Sequence, residues 1–421
     1  STDHEARQLT SSPKAKRPSF WRHFLIVAGP GLVVMLADTD AGSIITAAQS
    51  GASWGYRLLL LQFVLVPVLY VVQELTVRLG LVTGKGHAEL ILRHFGRFWA
   101  WISVGTLFLS CAGALLSELS GLAGVGLLLG VPAPATMALV VAALLAMAYT
   151  KSYLTIERIA IVIGAFELVF LFVAWRADPG AGEVTVGLLS IPFADPKYLY
   201  LVSANIGAVI MPWMVFFQQS SLVEKKLSVG DLPAARLDTA IGALLTQIIM
   251  AAVLVATAAT IGRAGGDPSL GTIGEIADAI TPFLGATAGK LLFGLGMTGA
   301  AMIATIVVTL TAARTLGEVL GVKHGLDHEP REAPWFYGIY TVTLIAGALL
   351  VLSGVNLVAL SVGVQVMNAL LLPIVLGFLF LLARRLPEPY RLQGAYAVIS
   401  GSVIAVTTLF GVYSGIAGLF G

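Results

Sequence analysis

The sequence is poor in charge. Of its 421 residues only 11% are Asp, Glu, Lys or Arg, while 57% are hydrophobic. Soluble domains carry roughly 25% charged residues, so a soluble domain with a single anchor is excluded and a polytopic membrane protein is indicated. There is one cysteine, Cys111, which rules out disulfides and thiolate metal clusters within the chain. Neither sign of charge dominates: 25 basic residues face 23 acidic ones, for a net +2, which gives no footing for nucleic-acid binding. The apolar segments hold no histidine. All six (His4, His23, His87, His94, His324, His328) fall in the tail or in loops. A His-Glu-x-x-His pair or a nucleophile–base set is likewise missing from those segments, so the chain does not read as an intramembrane enzyme.

What is present is a series of apolar stretches. Eleven spans are predicted near 24–51, 56–82, 98–125, 134–150, 156–176, 197–222, 237–262, 285–320, 334–354, 357–384 and 394–420. About 20 apolar residues suffice to cross a bilayer. The first 22 residues are polar and basic, without the apolar core of a signal peptide, and read as a cytoplasmic tail. With that tail inside, 20 of the 25 Lys and Arg residues fall on the cytoplasmic face. Only Arg57, Arg176, Lys197, Arg263 and Lys290 fall outside. The positive-inside rule then places the N-terminus in the cytoplasm and, after eleven spans, the C-terminus outside.

Two spans are interrupted. Span 1 carries Asp38-Thr39-Asp40-Ala41-Gly42-Ser43 at its middle. A charge at that depth costs at least about 2.5–3.5 kcal/mol, so such acids face a cavity, a partner or an ion. Asp38 and Asp40 would point about 200° apart on a continuous helix; they converge only if the helix breaks. Span 6 carries Met211-Pro212-Trp213, where Pro212 removes a backbone donor. Broken helices survive in a membrane only where protein or water satisfies the freed groups. The two breaks stand five spans apart, the sequence pointer to an inverted-repeat transporter with a site at the midplane. The expected organisation is a tail (1–22), a first repeat of spans 1–5 (23–178), a second of spans 6–10 (195–385), and span 11 (392–421).

At these residues the chain resembles the Nramp family of divalent-metal transporters. Members carry Asp-Pro-Gly-Asn in span 1 and Met-Pro-His in span 6; here the counterparts are Asp40-Ala41-Gly42-Ser43 and Met211-Pro212-Trp213. Ala28-Gly29-Pro30-Gly31, Gln49-Ser50-Gly51-Ala52 and Arg78-Leu79-Gly80-Leu81-Val82-Thr83-Gly84-Lys85 also match, as does Gln365, eight residues before Pro373. The resemblance implies an all-α, leucine-transporter-like fold of 5+5 inverted repeats plus an eleventh helix. It also implies a multi-pass protein of the plasma membrane, working by alternating access. By position, the implied metal ligands are Asp40, Ser43, Met211 and the carbonyls of Ala37 and Ala208, with Gln365 matching a span 10 glutamine.

The departures bear on the ion. The family asparagine is Ser43, its proline is Ala41, its two span 6 histidines are Trp213 and Gln218, and a span 3 aspartate is Leu115, while the nearby glutamate matches Glu118. With no imidazole for a proton relay near neutral pH, transport uncoupled from protons is expected. Loss of the asparagine carbonyl and gain of Asp38 make a roomier, more acidic site, suited to partly hydrated Mg²⁺, which sheds water reluctantly. That resembles the prokaryotic Nramp-related magnesium transporters. Mn²⁺ is expected as a second substrate, and Met211, a soft donor, favours the alternative of a proton-coupled Mn²⁺/Fe²⁺ importer. Trp213, Gln218, Glu118 and Asn368 are placed around the site or in its vestibule; Gln365 and Asn368 share a helix face at i, i+3. Glu74 is expected to pair with Arg78 four residues on and Glu157 to be solvated at the interface, while Glu167, deep in span 5, is the least explained acid. No cofactor is expected beyond the transported ion. The partners are the metal ion and the bilayer, and the protein is read as a monomer.

Overall fold

A computed structural model describes residues 19–149, 152–264, 270–280, 285–322, 324–325, 328, 331–354 and 357–421. The expected tail up to residue 18, and Lys151 and Lys323 of the charge count, lie outside the described residues. The described chain is helical from end to end, with eighteen α-helices in chain order. Eight helical segments of 19 to 35 residues are long and apolar enough to cross a membrane. They are α4 (Leu59–Thr83), α6 (Arg97–Leu128), α11 with α12 (Pro196–Val209, Pro212–Glu224), α13 (Leu232–Ala264), α15 (Ala286–Leu320), α16 (Pro334–Leu352), α17 (Leu357–Ala383) and α18 (Gly394–Phe420). Span 1 (α1 Phe20–Val27, α2 Pro30–Asp38, α3 Ala41–Trp54), α7 (Ala133–Ala148) and a fifth span (α8 Tyr153–Gly164, α9 Val169–Ala177) bring the number to the expected eleven.

Both breaks form. Asp40 is extended (φ −87°, ψ −179°) and caps α3, its side chain accepting from Ser43 N–H. Asp is a strong cap because its carboxylate satisfies an amide left orphaned in the first turn. In span 6, Ile210 and Met211 are extended and Pro212 starts α12, a position where its missing N–H costs nothing.

Two further interruptions were not foreseen. Span 1 also bends by 55° between α1 and α2. Gly29 sits there at φ 151°, and a Cβ on it would fall on the Glu157 carboxylate, so glycine is required. The fifth span is pinched into a 3-10 turn at Ala165–Leu168, which holds Glu167. Outside the spans lie three short helices, α5 (His87–Phe95), α10 (Ala181–Leu189) and α14 (Ile273–Ile280).

One end of the bundle collects the basic residues, and its buried charges are paired. Glu74 accepts from Arg78 (2.9 Å), Arg236 (2.9 Å) and the Tyr396 hydroxyl (2.9 Å), which includes the expected Arg78 pair. Arg314 pairs with Glu224, donates to Ser221 Oγ (2.9 Å), and lies over the rings of Tyr153 and Phe217. Glu157 is not solvated: it is 5% exposed and holds Lys225 at 2.8 Å. The span 1 bend is fastened from both sides. Lys225 Nζ donates to the Val27 and Ala28 carbonyls (3.2 and 3.1 Å), the negative end of α1. Asp238, from α13, accepts from the amides of Gly29, Gly31 and Leu32 at the positive end of α2 (3.1, 2.8 and 3.2 Å). Each charge complements a helix dipole and satisfies orphaned backbone groups.

Candidate metal site at two helix breaks

The core of the site is a clasp between the breaks. Ser43, in the first turn of α3, reaches both: its Oγ is 2.9 Å from the Asp38 carbonyl and 3.1 Å from the Ala208 carbonyl of α11. A hydroxyl has a single proton, so the two carbonyls share it. Asp40 Oδ1 accepts from Ser43 N–H at 2.7 Å. Glu118, from α6, accepts from Ala41 N–H at 2.8 Å. Glu118 thus fastens span 3 to the first break. Gln365 of α17 lies over Gly42: any Cβ at 42 would strike its amide nitrogen. Its Oε1 accepts from Asn368 (3.0 Å), whose own Oδ1 accepts from Ser110 (2.8 Å).

This centre is short of donors and of positive charge. Asp38 Oδ1, Asp40 Oδ2, Glu118 Oε2 and both carboxyl oxygens of Glu167 are buried without a hydrogen-bond partner. The exposures of these residues are 2, 0, 0 and 0%. Buried polar atoms are as a rule satisfied, so each exception calls for an explanation. A buried carboxyl must be paired, bound to a metal or held neutral by a proton. Among the described residues, the ion pairs of Arg78, Arg93, Lys225, Arg236, Arg314 and Arg391 all go to other acids. The described residues hold no compact trio of His, Cys, Asp and Glu side chains, so a cation here would draw on single carboxylates, carbonyls and water.

Other residues singled out in the sequence fall around this centre. Ala37 ends α2 fully buried and Met211 caps α12 at 1% exposure. The bonds that join the two breaks run through Ser43 and the Ala208 carbonyl. Trp213 is fully buried, its Nε1 unpartnered. Gln218 does not line an open vestibule. It is 1% exposed, accepting from Gln73 (2.7 Å) and donating to Thr239 (2.9 Å). A cavity of about 710 Å³ does open at the end away from the basic cluster, lined by Gln49, Trp54, Tyr200 and Val358 among others. Gln49 lies six residues beyond Ser43, about 9 Å along α3 at the helical rise.

Sequence reasoning missed the span 1 bend and the fifth-span pinch. The Gly29-Pro30-Gly31 run signalled the first. For the second, the only signal was an acid, Glu167, three residues after Gly164 in an apolar span.

Comparisons with known proteins bear on the fold and the family. The chain is 28% identical over 307 residues to the divalent metal cation transporter MntH of Bradyrhizobium diazoefficiens, covering 69% of this chain and 67% of that one. Its fold matches a manganese transporter from Eremococcus coleocola at a TM-score of 0.79 and 22% identity, over 96% of this chain and 89% of that one. Mhp1, a nucleobase-cation-symport-1 family transporter, shares the fold more distantly, with a TM-score of 0.60 and 17% identity over 93% and 90% of the two chains. The architecture is therefore the leucine-transporter-like one of inverted repeats with helices 1 and 6 broken. The model of Nramp, natural resistance-associated macrophage protein-like, matches residues 31–417, and the chain belongs to that family.

Proposed function

We propose that the protein carries divalent cations across the membrane by alternating access, with Mg²⁺ the main substrate and Mn²⁺ accepted. One observation carries the reading: buried acids with open oxygens stand where two broken helices meet, with no basic side chain among them. The relatives' description as divalent metal cation transporters supports it. In this reading Asp40, Ser43, Met211 and the carbonyls of Ala37 and Ala208 are the ligands. Asp38 and Gln365 act on the ion or its waters, and Glu118, Asn368, Trp213 and Gln218 support them. Carboxylate, carbonyl and water oxygens suit Mg²⁺ and Mn²⁺. The basic end faces the cytoplasm, and the cavity beyond Gln49 is the outer mouth.

Transport is uncoupled from protons. The groups bonded around the first break are a hydroxyl, backbone amides and carbonyls, and a second carboxyl; none is an imidazole. A second reading, a proton-coupled Mn²⁺ or Fe²⁺ importer, draws on one observation: Glu118 holds the Ala41 amide next to Asp40, so that two acids stand at the first break. Proteoliposomes reading Mg²⁺ and Mn²⁺ uptake together with lumenal pH separate the two. Uptake of both ions without acidification is expected. Acidification in step with uptake would establish the second reading, and Asp40→Ala with unchanged flux would remove the site from either.

A further inference from the structure

Helix α18 packs unevenly along its length. Its outer half lies tight against α11: the Ser203 hydroxyl donates to the Gly411 carbonyl (3.0 Å), and a Cβ on Gly418 would strike the Tyr200 backbone. At the basic end a groove of about 680 Å³ opens between α18 and α17. Its walls include Phe380 and Arg384 on one side and Gly394, Ala397, Gly401 and Ala405 on the other. The Phe380 ring stands 3.2 Å from where a Cβ on Gly401 would lie, while nothing comes within 4 Å of a Cβ on Gly394. From residue 394 to residue 405 the groove follows α18 for about 16 Å at the helical rise. That is the depth of one leaflet in a hydrocarbon core about 30 Å thick.

The mouth of this groove is positive. Residues 384–393, the turn from α17 to α18, carry three arginines and one acid. Arg391 takes the acid, Glu388 (4.0 Å), and Arg385 lies over the Phe95 ring, 4.5 Å from its centroid. Arg384 is exposed, and the ion pairs among the described residues leave it out. Its Nη1 donates to the Leu392 carbonyl (3.3 Å), which holds the guanidinium beside the start of α18. There the helix offers its own positive end. Gln393, the N-cap residue, makes no side-chain bond to the first turn, so the leading amides of this 27-residue helix are left to another partner. A leaflet-deep apolar groove that ends at a guanidinium and open amides is complementary to a phospholipid, tail first and phosphate last.

We propose that this groove is a binding site for an anionic phospholipid, its acyl chain along residues 394–405 and its phosphate on Arg384 and the first amides of α18. Basic residues at the cytoplasmic surface are drawn to the anionic lipids of that leaflet, and this mouth lies at the basic end of the bundle. The site goes beyond ion transport and does not depend on which ion is carried. A second copy of this chain is the competing occupant, since small residues suit close helix contact. In a two-fold pair through this face, however, Arg384 would meet its own counterpart, like charge against like charge. Charge therefore favours the lipid. Bound there, the lipid fills the space between α17 and α18 and ties the eleventh span to the tenth.

The test is lipid retention by the full-length protein in mild detergent, read by native mass spectrometry against added phosphatidylglycerol and phosphatidylcholine. Wild type should hold phosphatidylglycerol about fivefold more tightly than phosphatidylcholine, the factor for one arginine at an anionic surface. Arg384→Gln should remove that preference, and Arg384→Lys, which keeps the charge, should retain it. Ala405→Phe fills the groove and should weaken both lipids alike. Arg384 and Ala405 are both exposed, so neither change puts folding at stake. Phosphatidylglycerol should also raise the melting temperature of wild type and leave that of Arg384→Gln unmoved. Equal retention of the two lipids by wild type, or an undiminished preference in Arg384→Gln, would overturn the site. So would inorganic phosphate that matched the effect of phosphatidylglycerol on melting, which would leave an anion site without a lipid. A wild-type dimer that Ala405→Phe dissociates would give the groove to a second copy and overturn it too.

Discussion

The two ends of the charge distribution behave in opposite ways. At the basic end buried charge is met by charge or by helix ends: Glu74 by two arginines, Glu157 by Lys225, Arg314 by Glu224, and Asp238 by three amides. At the middle of the bundle Asp38, Asp40, Glu118 and Glu167 are as deeply buried, yet among the described residues no Lys or Arg pairs with them; an open oxygen is not the difference, since Glu157 and Glu318 keep one too. The first region uses charge to hold helices. The second withholds compensation, and a cation is the partner that the proposed function supplies there. Removal of a charge should therefore destabilise the first region and leave the second standing but inactive.

The largest structural effect is expected at the span 1 bend. Lys225→Ala leaves the Glu157 carboxylate buried and unpaired and frees two carbonyls, and should cost about 3–5 kcal/mol. Thermal unfolding in detergent checks this; a change under 1 kcal/mol would break the contrast between the two regions. Lys225→Ala with Glu157→Leu should recover part of the loss, since hydrophobic replacement of a whole buried pair is often neutral.

A second effect comes from His87, in α5 outside the spans. It is fully buried with its ring edge-to-face against Phe216, and burial pushes the imidazole down to about 3. The unfolded chain protonates near 6.5 while the folded one stays neutral. Stability contributed by His87 is therefore full above pH 6.5 and is lost as the pH falls toward 3, by about 2 kcal/mol between pH 7 and 5. His87→Gln should flatten that slope in melting curves; an unaltered slope would mean that other groups set it.

Smaller again is the clasp. Ser43→Ala removes the hydroxyl shared by the Asp38 and Ala208 carbonyls and should cost about 1 kcal/mol. Ser43→Asn restores a carbonyl donor and should raise Mn²⁺ flux relative to Mg²⁺ in the same vesicles. An unchanged ratio would show that residue 43 does not act on the ion.

Much of this was legible in the sequence, because a bilayer leaves few choices. Eleven apolar runs read as spans, and the interruptions at Asp40 and Pro212 read as breaks because they stand five spans apart; a proline alone does not decide it, since Pro67 and Pro373 lie inside continuous helices. The Glu74–Arg78 pair followed from their spacing of four. What was not legible depended on contacts across long separations. Glu157 read as interfacial because nothing near it announces Lys225, 68 residues away. Gln218 read equally as a vestibule residue or as a bond between helices, because its partner Gln73 lies 145 residues away. His87 read as a loop histidine because α5 is short, and its burial against α12 is tertiary. The pinch at Glu167 was hidden because a 3-10 turn inside an apolar span leaves the hydrophobic pattern unchanged.

The most direct test pairs two readings on Asp40→Asn, which keeps the cap to Ser43 N–H and removes the charge. The account predicts that this variant melts within about 1 kcal/mol of wild type, the size of a single capping bond, and loses Mg²⁺ flux in proteoliposomes. Retained flux, or a loss of stability on the scale of Lys225→Ala, would contradict it.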